Sequence, residues 1–284
     1  MAISSPGIGS GLDVNGIVSK LMAVEQQPVT VLDKKEVSYQ AQLTAFGTLQ
    51  GALSSFQSAV SGLSDVSKFT SLKASTADAT VLSASASSIA MPGTYSVVVD
   101  KLAQSQKLVA VGQADLTTAI GTGVLTFDFG TISGATVDAF GKYTGASFTS
   151  NGSGIKTVTI DATNNSLLGI RDAINKANIG VSATLVNDGS ASPYRLALTS
   201  TNIGQTNSIK ISGGDAGLSG LLGHDPANNG GQNLSETVTA QNAQIKVDGI
   251  AVSKASNSIN DVIQGVTLNL LKTNTSLTPT AVTV

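Results

Sequence analysis

The sequence lacks cysteine and tryptophan, has one histidine, and is poor in charged (12%) and aromatic (4%) residues. Without cysteine there is no disulfide or thiolate, and with one histidine a typical zinc site is not expected. The formal net charge of -2 argues against the basic surface that binds nucleic acid. No apolar run approaches the roughly 18 residues of a membrane-spanning helix. The first residues also lack the basic and apolar regions of a cleaved secretory signal.

Catalytic signals are weak. His224 lies near Ser219 and Asp215, but a triad is recognised by geometry, so we interpret His224 as a loop histidine. The glycines of residues 7–12 are misplaced for a dinucleotide fingerprint, and no strand precedes them. The acidic residues are scattered, without a spacing that specifies acid–base chemistry. We therefore predict a protein that is not an enzyme and has no catalytic, cofactor-binding or metal-binding residues.

A seam of large apolar residues at helical spacing dominates residues 32–63. Its steps of three or four residues predict the narrow stripe of a coiled coil. The stripe consists of Leu32, Tyr39, Leu43, Phe46, Leu49, Leu53, Phe56, Val60 and Leu63. Elsewhere we predict only two short helices, near 166–177 and 258–264. The helix that covers the seam is therefore expected from another subunit, another protein or a further segment.

A shorter helix is predicted before the seam. Asp13 offers an N-cap oxygen, and one face then carries Val14, Ile17, Val18, Leu21 and Val24. Pro28 is expected to end or kink this helix. We assign 1–28 to a flexible segment with this short helix and 29–68 to the long coiled-coil helix. Gly47, Gly51 and Gly62 each weaken the long helix by about 1 kcal/mol.

From residue 69 onward the pattern changes to short alternating runs rich in Ser and Thr, which together form about a quarter of the chain. The segment 156–186 predicts a strand, a helix and a strand. Asp248-Gly249 is the strongest hairpin signal, and 213–233 is expected to be a loop. The predicted fold class is α+β, with a β-rich head domain of 69–111 and 240–284 and an inserted α+β head domain of 112–239.

Five segments together resemble the bacterial flagellar filament-capping family (FliD family, flagellar hook-associated protein 2). They occur in the order of that family and spread over nearly the whole chain. They are 7–25 (GIGSGLDV through Glu25), 92–104 (PGTY to LAQ), 170–196 (IRDAIN, GVSA and YRL), 247–250 (VDGI) and 259–268 (INDVIQGVTL). Family members continue into C-terminal helices that pair with the N-terminal one, whereas this chain stops at Val284. We therefore expect it to lack those helices.

The resemblance implies a structural cap at the distal end of the flagellar filament, which promotes polymerisation and insertion of flagellin and prevents its leakage. The implied partners are other copies in a ring, often a pentamer, together with flagellin and hook-junction proteins, without nucleic acid or membrane insertion. The implied location is extracellular, reached by the flagellar type III route without a cleaved signal peptide. The implied filament contacts are Ile17, Val18, Leu21 and Val24. The implied coiled-coil residues are Tyr39, Leu43, Phe46, Leu53, Phe56 and Val60.

Other readings remain open. Each of these two residue groups would also suit an ordinary helix packed on its own domain. The chain as a whole would suit a flagellin or hook-junction subunit, whose termini should be richer in long paired helices. A surface adhesin whose Ser/Thr-rich head binds host glycans is a further alternative, which glycan binding without a motility defect on deletion would favour.

Overall fold

A computed structural model describes residues 13–64, 72–275 and 278–284. It divides into a unit that ends at Thr70 and a unit from Ser71 to Val284. The glycine-rich opening segment 7–12 and the predicted end of the long helix at 65–68 lie outside the described residues.

The described residues of the first unit form one helix, α1, which spans 51 residues from Val14 to Ser64. Asp13 caps it, since its Oδ1 accepts a hydrogen bond of 2.9 Å from the Gly16 amide. Pro28 was expected to end or kink a short helix; the helix does not end there, because Pro28 lies inside α1, and the kink stays a prediction. Pro28 removes only the bond to the Val24 carbonyl, and the residues on both sides remain helical. No residue of Val14–Ser64 is buried.

The second unit is built mainly of short strands, with two α-helices and two 3-10 turns among its described residues. The helices are α2 (Leu167–Ala177) and α3 (Ala216–Leu222). The strands are β1 (Ser75–Thr76), β2 (Leu82–Ala86), β3 (Thr94–Lys101), β4 (Lys107–Val109), β5 (Gly123–Ser133), β6 (Thr136–Val137), β7 (Tyr143–Thr144), β8 (Ser147–Ser150), β9 (Lys156–Ile160), β10 (Val181–Asn187), β11 (Tyr194–Ser200), β12 (Ser208–Gly213), β13 (Ser235–Val238), β14 (Ala243–Val247), β15 (Ile250–Lys254), β16 (Ser258–Ile263), β17 (Val266–Leu270) and β18 (Thr280–Thr283).

Two sheets share the first hydrophobic core of this unit. One has the strand order β1-β18-β3-β14-β15 and the other β16-β17-β2. Their inward residues, among them Leu82, Val97, Ile245 and Leu268, form one buried cluster. The prediction of a helix at 258–264 is wrong, because this segment is β16, which pairs with β17. Its apolar spacing over six residues fits either structure, and the turn at Gly265, with φ of 72°, returns the chain as a hairpin.

The second core lies between a sheet ordered β10-β11-β4-β13 and a sheet in which β5 pairs with β12, β8 and β9. The predicted helix α2 is confirmed, with Leu167, Ile170 and Ile174 buried in this core. The prediction that 213–233 is only a loop is wrong. Asp215 caps α3 there. A helix of seven residues among glycines is too short to be recognised from hydrophobic periodicity.

The chain crosses between the two cores beside Gln104 and Gln241, whose backbones exchange hydrogen bonds of 2.9 and 3.2 Å. Leu108 and Ala110, which follow the first crossing, pack into the second core. The chain returns to the first core at β14. The division into a β-rich domain and an inserted domain with the bounds given above stays a prediction.

Candidate interaction surfaces

The predicted coiled-coil residues form a solvent-exposed apolar stripe along α1. Each is between 45% and 67% exposed: Tyr39, Leu43, Phe46, Leu53, Phe56 and Val60. Exposed apolar surface of this extent marks an interaction site rather than an ordinary surface. Burying the seam residues would contribute on the order of 10 to 20 kcal/mol, at about 1.5 to 3 kcal/mol for each large side chain and as an upper estimate.

The predicted filament contacts occupy the first turns of the same helix. Ile17, Val18, Leu21 and Val24 are between 44% and 60% exposed. They lie on α1 together with the stripe, so both groups belong to one helix about 75 Å long at 1.5 Å per residue. Such a surface can bind another helix by side-chain packing, but it offers no groups for chemistry.

A buried polar network joins the strands β7, β12 and β13 through Gln106, which precedes β4. The Gln106 side chain donates to Glu236 at 2.7 Å and accepts from the Ile209 amide at 2.6 Å. The Tyr143 hydroxyl donates to the other oxygen of Glu236. Burial first, and Glu236 second, raise the pKa of Tyr143, so the phenol stays a donor. Since these groups satisfy one another, the network ties strands together and leaves no reactive group free.

His224 is fully buried, and neither ring nitrogen has a hydrogen-bond partner among the described residues. Its ring centroid lies 6.3 Å from that of Tyr143. Burial lowers the pKa of His224 to about 4, against an opposing effect of Asp225. His224 follows the end of α3, as expected for a histidine beside a helix end, but its burial was not predicted. Backbone bridges to Ile211 and Gln232 hold it in place.

The imagined triad does not assemble. Asp215, its acidic member, is the N-cap of α3 and accepts from the amides of Leu218 at 2.9 Å and Thr122 at 2.7 Å. In the part of the chain that the structure describes, no group of three or more potential metal ligands is found. Over the same residues, no helix is long and apolar enough to cross a membrane.

Three side-chain amides each bond the N–H and the C=O of one backbone residue, as a neighbouring strand would. The sequence did not predict these contacts. Asn175 accepts from the Ala183 amide and donates to the Ala183 carbonyl, both at 2.8 Å. Asn257 does the same for Ala103, and Gln232 for Tyr143. Each occupies backbone groups that would otherwise be open to another strand.

A long helix with an exposed apolar stripe, followed in the chain by a β-rich body, is typical of proteins that assemble with other chains. Family models match in three places: "Flagellar hook-associated protein 2 N-terminus" at 10–106, "Flagellin hook IN motif" at 147–202 and "Flagellar hook-associated protein 2 C-terminus" at 240–284. The chain is 37% identical to flagellar hook-associated protein 2 of Escherichia coli (strain K12), over 92% of this chain and 52% of the relative. It is 34% identical to the B-type protein of Pseudomonas aeruginosa, over 100% of this chain and 58% of the relative.

Solved structures agree. The flagellar cap protein FliD D1-D2-D3 domains from Escherichia coli match with a TM-score of 0.69 and 34% identity, over 85% of this chain and 62% of that one. The D2-D3 domains from the same organism match with a TM-score of 0.63 and 32% identity, over 74% of this chain and 97% of that one. This chain belongs to the flagellar hook-associated protein 2 (FliD) family, as the motifs indicate. It spans about half the length of the curated relatives it matches.

Proposed function

We propose that this chain is a structural, non-enzymatic subunit of the cap at the distal end of a flagellar filament, where it promotes insertion of flagellin and prevents its leakage. The observation that carries the proposal is the match to solved flagellar cap proteins, one of which the chain covers over 97% of its length at 32% identity. The exposed stripe of α1 supports it, because a subunit of an assembly needs such a surface.

In this proposal the stripe packs against a second apolar helix. Tyr39, Leu43 and Phe46 begin the contact, and Leu53, Phe56 and Val60 continue it. The residues of family members beyond the matched half, which the resemblance assigns to C-terminal helices, supply that helix. The first turns of α1, with Ile17, Val18, Leu21 and Val24, contact the filament.

The two cores of the second unit serve as head domains, 69–111 with 240–284 and 112–239, and copies assemble into a ring that is often a pentamer in the family. Flagellin and hook-junction proteins are the proposed partners. The proposed location is extracellular, at the filament tip, after export by the flagellar type III route without a cleaved signal.

Complementation of a strain that lacks the gene tests the function. We expect the deletion strain to release monomeric flagellin into the medium and to lose motility, and the wild-type gene to restore filaments. The double variant Phe46→Asp/Phe56→Asp should fail to restore them, because two carboxylates would enter the apolar contact.

The matched control is Thr44→Asp/Ser58→Asp, which adds the same charge on the opposite side of the same exposed helix. It should restore motility. Filaments of normal length in the deletion strain, combined with lost attachment to host glycans, would overturn the cap and favour the adhesin.

A further inference from the structure

The sandwich around the first core has an uncovered strand at one side. β15 is the last strand of its five-stranded sheet, and among the strands that the structure describes it pairs only with β14. Ile250, its first residue, is 70% exposed. A free edge of uncharged residues is a template for another strand, and natural proteins usually protect such edges with charge, proline or a bulge. Residues 250–253 carry none of these.

The turn before β15 decides which of its backbone groups are free. Asp248 and Gly249 both have positive φ, 49° and 84°, as in the two-residue turn that makes Val247 and Ile250 a hydrogen-bonded pair. Because the ladder alternates, Val252 also directs its N–H and C=O toward β14. Ala251 and Ser253 therefore direct theirs outward.

An apolar groove of about 490 Å³ accompanies this edge, between β15 and β16. Val252 and Val262 line it, and Lys254 and Asp261 pair across it at 2.6 Å. The remaining charged group of the lining, Asp248, accepts a hydrogen bond of 2.7 Å from the Ser96 amide. The hydroxyl of Tyr95, a lining residue, donates to the Met91 carbonyl, and the Met91 side chain is 62% exposed.

The neighbouring edge is closed to pairing. β16 has a register shift between Ile259 and Ile263, and its Asp261 carries charge. An irregular, charged strand makes a poor template. Of the two edges that border the groove, β15 is therefore the one with which an added strand can pair.

We propose that β15 pairs antiparallel with β15 of a second copy of this chain, about a twofold axis at Val252. In this register Ala251 of one copy exchanges both backbone hydrogen bonds with Ser253 of the other, so all four outward groups of each strand are satisfied. Every residue of the strand then has a partner. A shift of two residues would leave some of these groups unpaired.

Side chains also fit this register. Val252 faces Val252 of the second copy, and Lys254 faces Ile250 rather than another lysine. Like charges directly opposite would oppose pairing, and this register avoids them. Ile250 and Val252 of both copies lie on one face and form an apolar cluster across the axis. The chemistry of the edge thus matches its own copy.

The pairing goes beyond the proposed ring. A twofold contact uses the same patch on both copies and cannot close a ring of more than two. The edge therefore links copies in addition to any ring contact. One five-residue strand pair and a few apolar side chains make a small interface, so we expect weak association in solution.

The absence of cysteine makes a direct test available, because Val252→Cys introduces the only thiol. The two Cα atoms of a non-hydrogen-bonded antiparallel pair lie about 4.5 Å apart, within the range for a disulfide. The control is Ser85→Cys on β2, an exposed residue at the free edge of the other sheet. With rates normalised to thiol accessibility, we expect Val252→Cys to form disulfide dimers at least tenfold faster.

A second variant removes the pairing but not the fold. Ala251→Pro in the Val252→Cys background deletes an outward N–H, which an edge strand tolerates, and circular dichroism checks folding. We expect cross-linking to fall to the control rate and sedimentation to show less dimer. Equal rates for the two cysteine variants, or no loss with proline, would overturn the pairing. These measurements use purified chain, so they fail independently of the motility test of the proposed function.

Discussion

At the residue scale, amide side chains protect strand edges from pairing with other strands in a chain that has few charged residues to do so. Asn175 bonds both backbone groups of Ala183 on β10, an edge strand. It therefore takes the place that another strand would occupy. Only an amide offers a donor and an acceptor together at this reach. Asparagine in the last turn of a helix is common, so the sequence alone gave no signal of this role.

Asn175→Asp should destabilise the protein by about 2 kcal/mol at neutral pH, because the carboxylate loses the donor and faces the Ala183 carbonyl. The folded state then favours the protonated acid, which can donate, and raises the pKa of the new carboxyl. The loss should therefore be smaller below pH 4 and appear as pH rises through that raised pKa. Urea unfolding at several pH values measures it.

Asn187→Asp is the matched control, since Asn187 lies at the end of the same strand and its side-chain oxygen only accepts, from the Gly189 amide. A carboxylate accepts equally well, so this variant should keep wild-type stability. An equal loss in both variants would show that the added charge, and not the lost donor, is responsible.

His224 should make stability depend on pH. Burial lowers its pKa to about 4 from the ordinary histidine value of 6.5, so the unfolded chain binds the proton more readily. The contribution of the neutral His224 to the free energy of unfolding is therefore complete above about pH 6.5 and is lost as pH falls toward 4. Between pH 7.5 and 4.5 this amounts to about 2 to 3 kcal/mol. His224→Phe, which cannot titrate, should remove that slope in urea unfolding.

The window above pH 4.5 separates this effect from the acidic residues. Asp188 and Asp215 have lowered pKa values, the first through its hydrogen bond with Arg195 and the second through the Leu218 amide. Their contributions are lost only as pH falls below the ordinary aspartate range. A slope between pH 7.5 and 4.5 that persists in His224→Phe would contradict the assignment to this histidine.

At the element scale, α1 is a helix whose sequence is not optimised to stand alone. A Cβ added at Gly47 or Gly51 would meet nothing within 4 Å. Each change to alanine should therefore stabilise the helix by about 1 kcal/mol. Hydrogen exchange of the amides around residues 44–55 should slow about fivefold for each, since about 1 kcal/mol corresponds to that factor.

Amides of the β-rich unit should keep their exchange rates in both glycine variants, which provides an internal control. Faster exchange in α1 would contradict the expected stabilisation of the helix. Loss of filament assembly in the complemented strain would show that a partner packs closely against the glycine and leaves no room for a methyl group. The two outcomes distinguish a glycine that is merely tolerated from one that the interface needs.

Particular elements show what the sequence could predict. The Asp248-Gly249 turn and the buried face of α2 carry local signals, and both were predicted. Residues 258–264 were misread, because their hairpin partner decides between helix and strand. Pro28 was misread as well, because helix on both sides outweighs one lost backbone bond. The stripe of α1 was predicted from its helical spacing. The bridges of His224 were not, because they join it to residues outside its local sequence pattern.

At the scale of the whole molecule, the β-rich unit is held by two cores that share backbone crossings. The crossings include the exchange between Gln104 and Gln241, and the bond of 3.1 Å from the Gly204 amide to the Gln104 carbonyl. The few hydrogen bonds at a crossing contribute little to stability compared with a buried apolar cluster. Each core is therefore expected to respond to its own substitutions.

Phe127→Ala tests this independence. Phe127 is fully buried in the second core, and its truncation should cost about 3 to 5 kcal/mol through lost burial and a cavity. In native-state hydrogen exchange, amides of β5, β9 and β12 should lose protection. Amides around Val97 and Val99 in the first core should keep most of theirs. Separate responses would support a head built as one domain inserted into another, whereas an equal loss in both cores would mean that the crossings join them into a single cooperative unit.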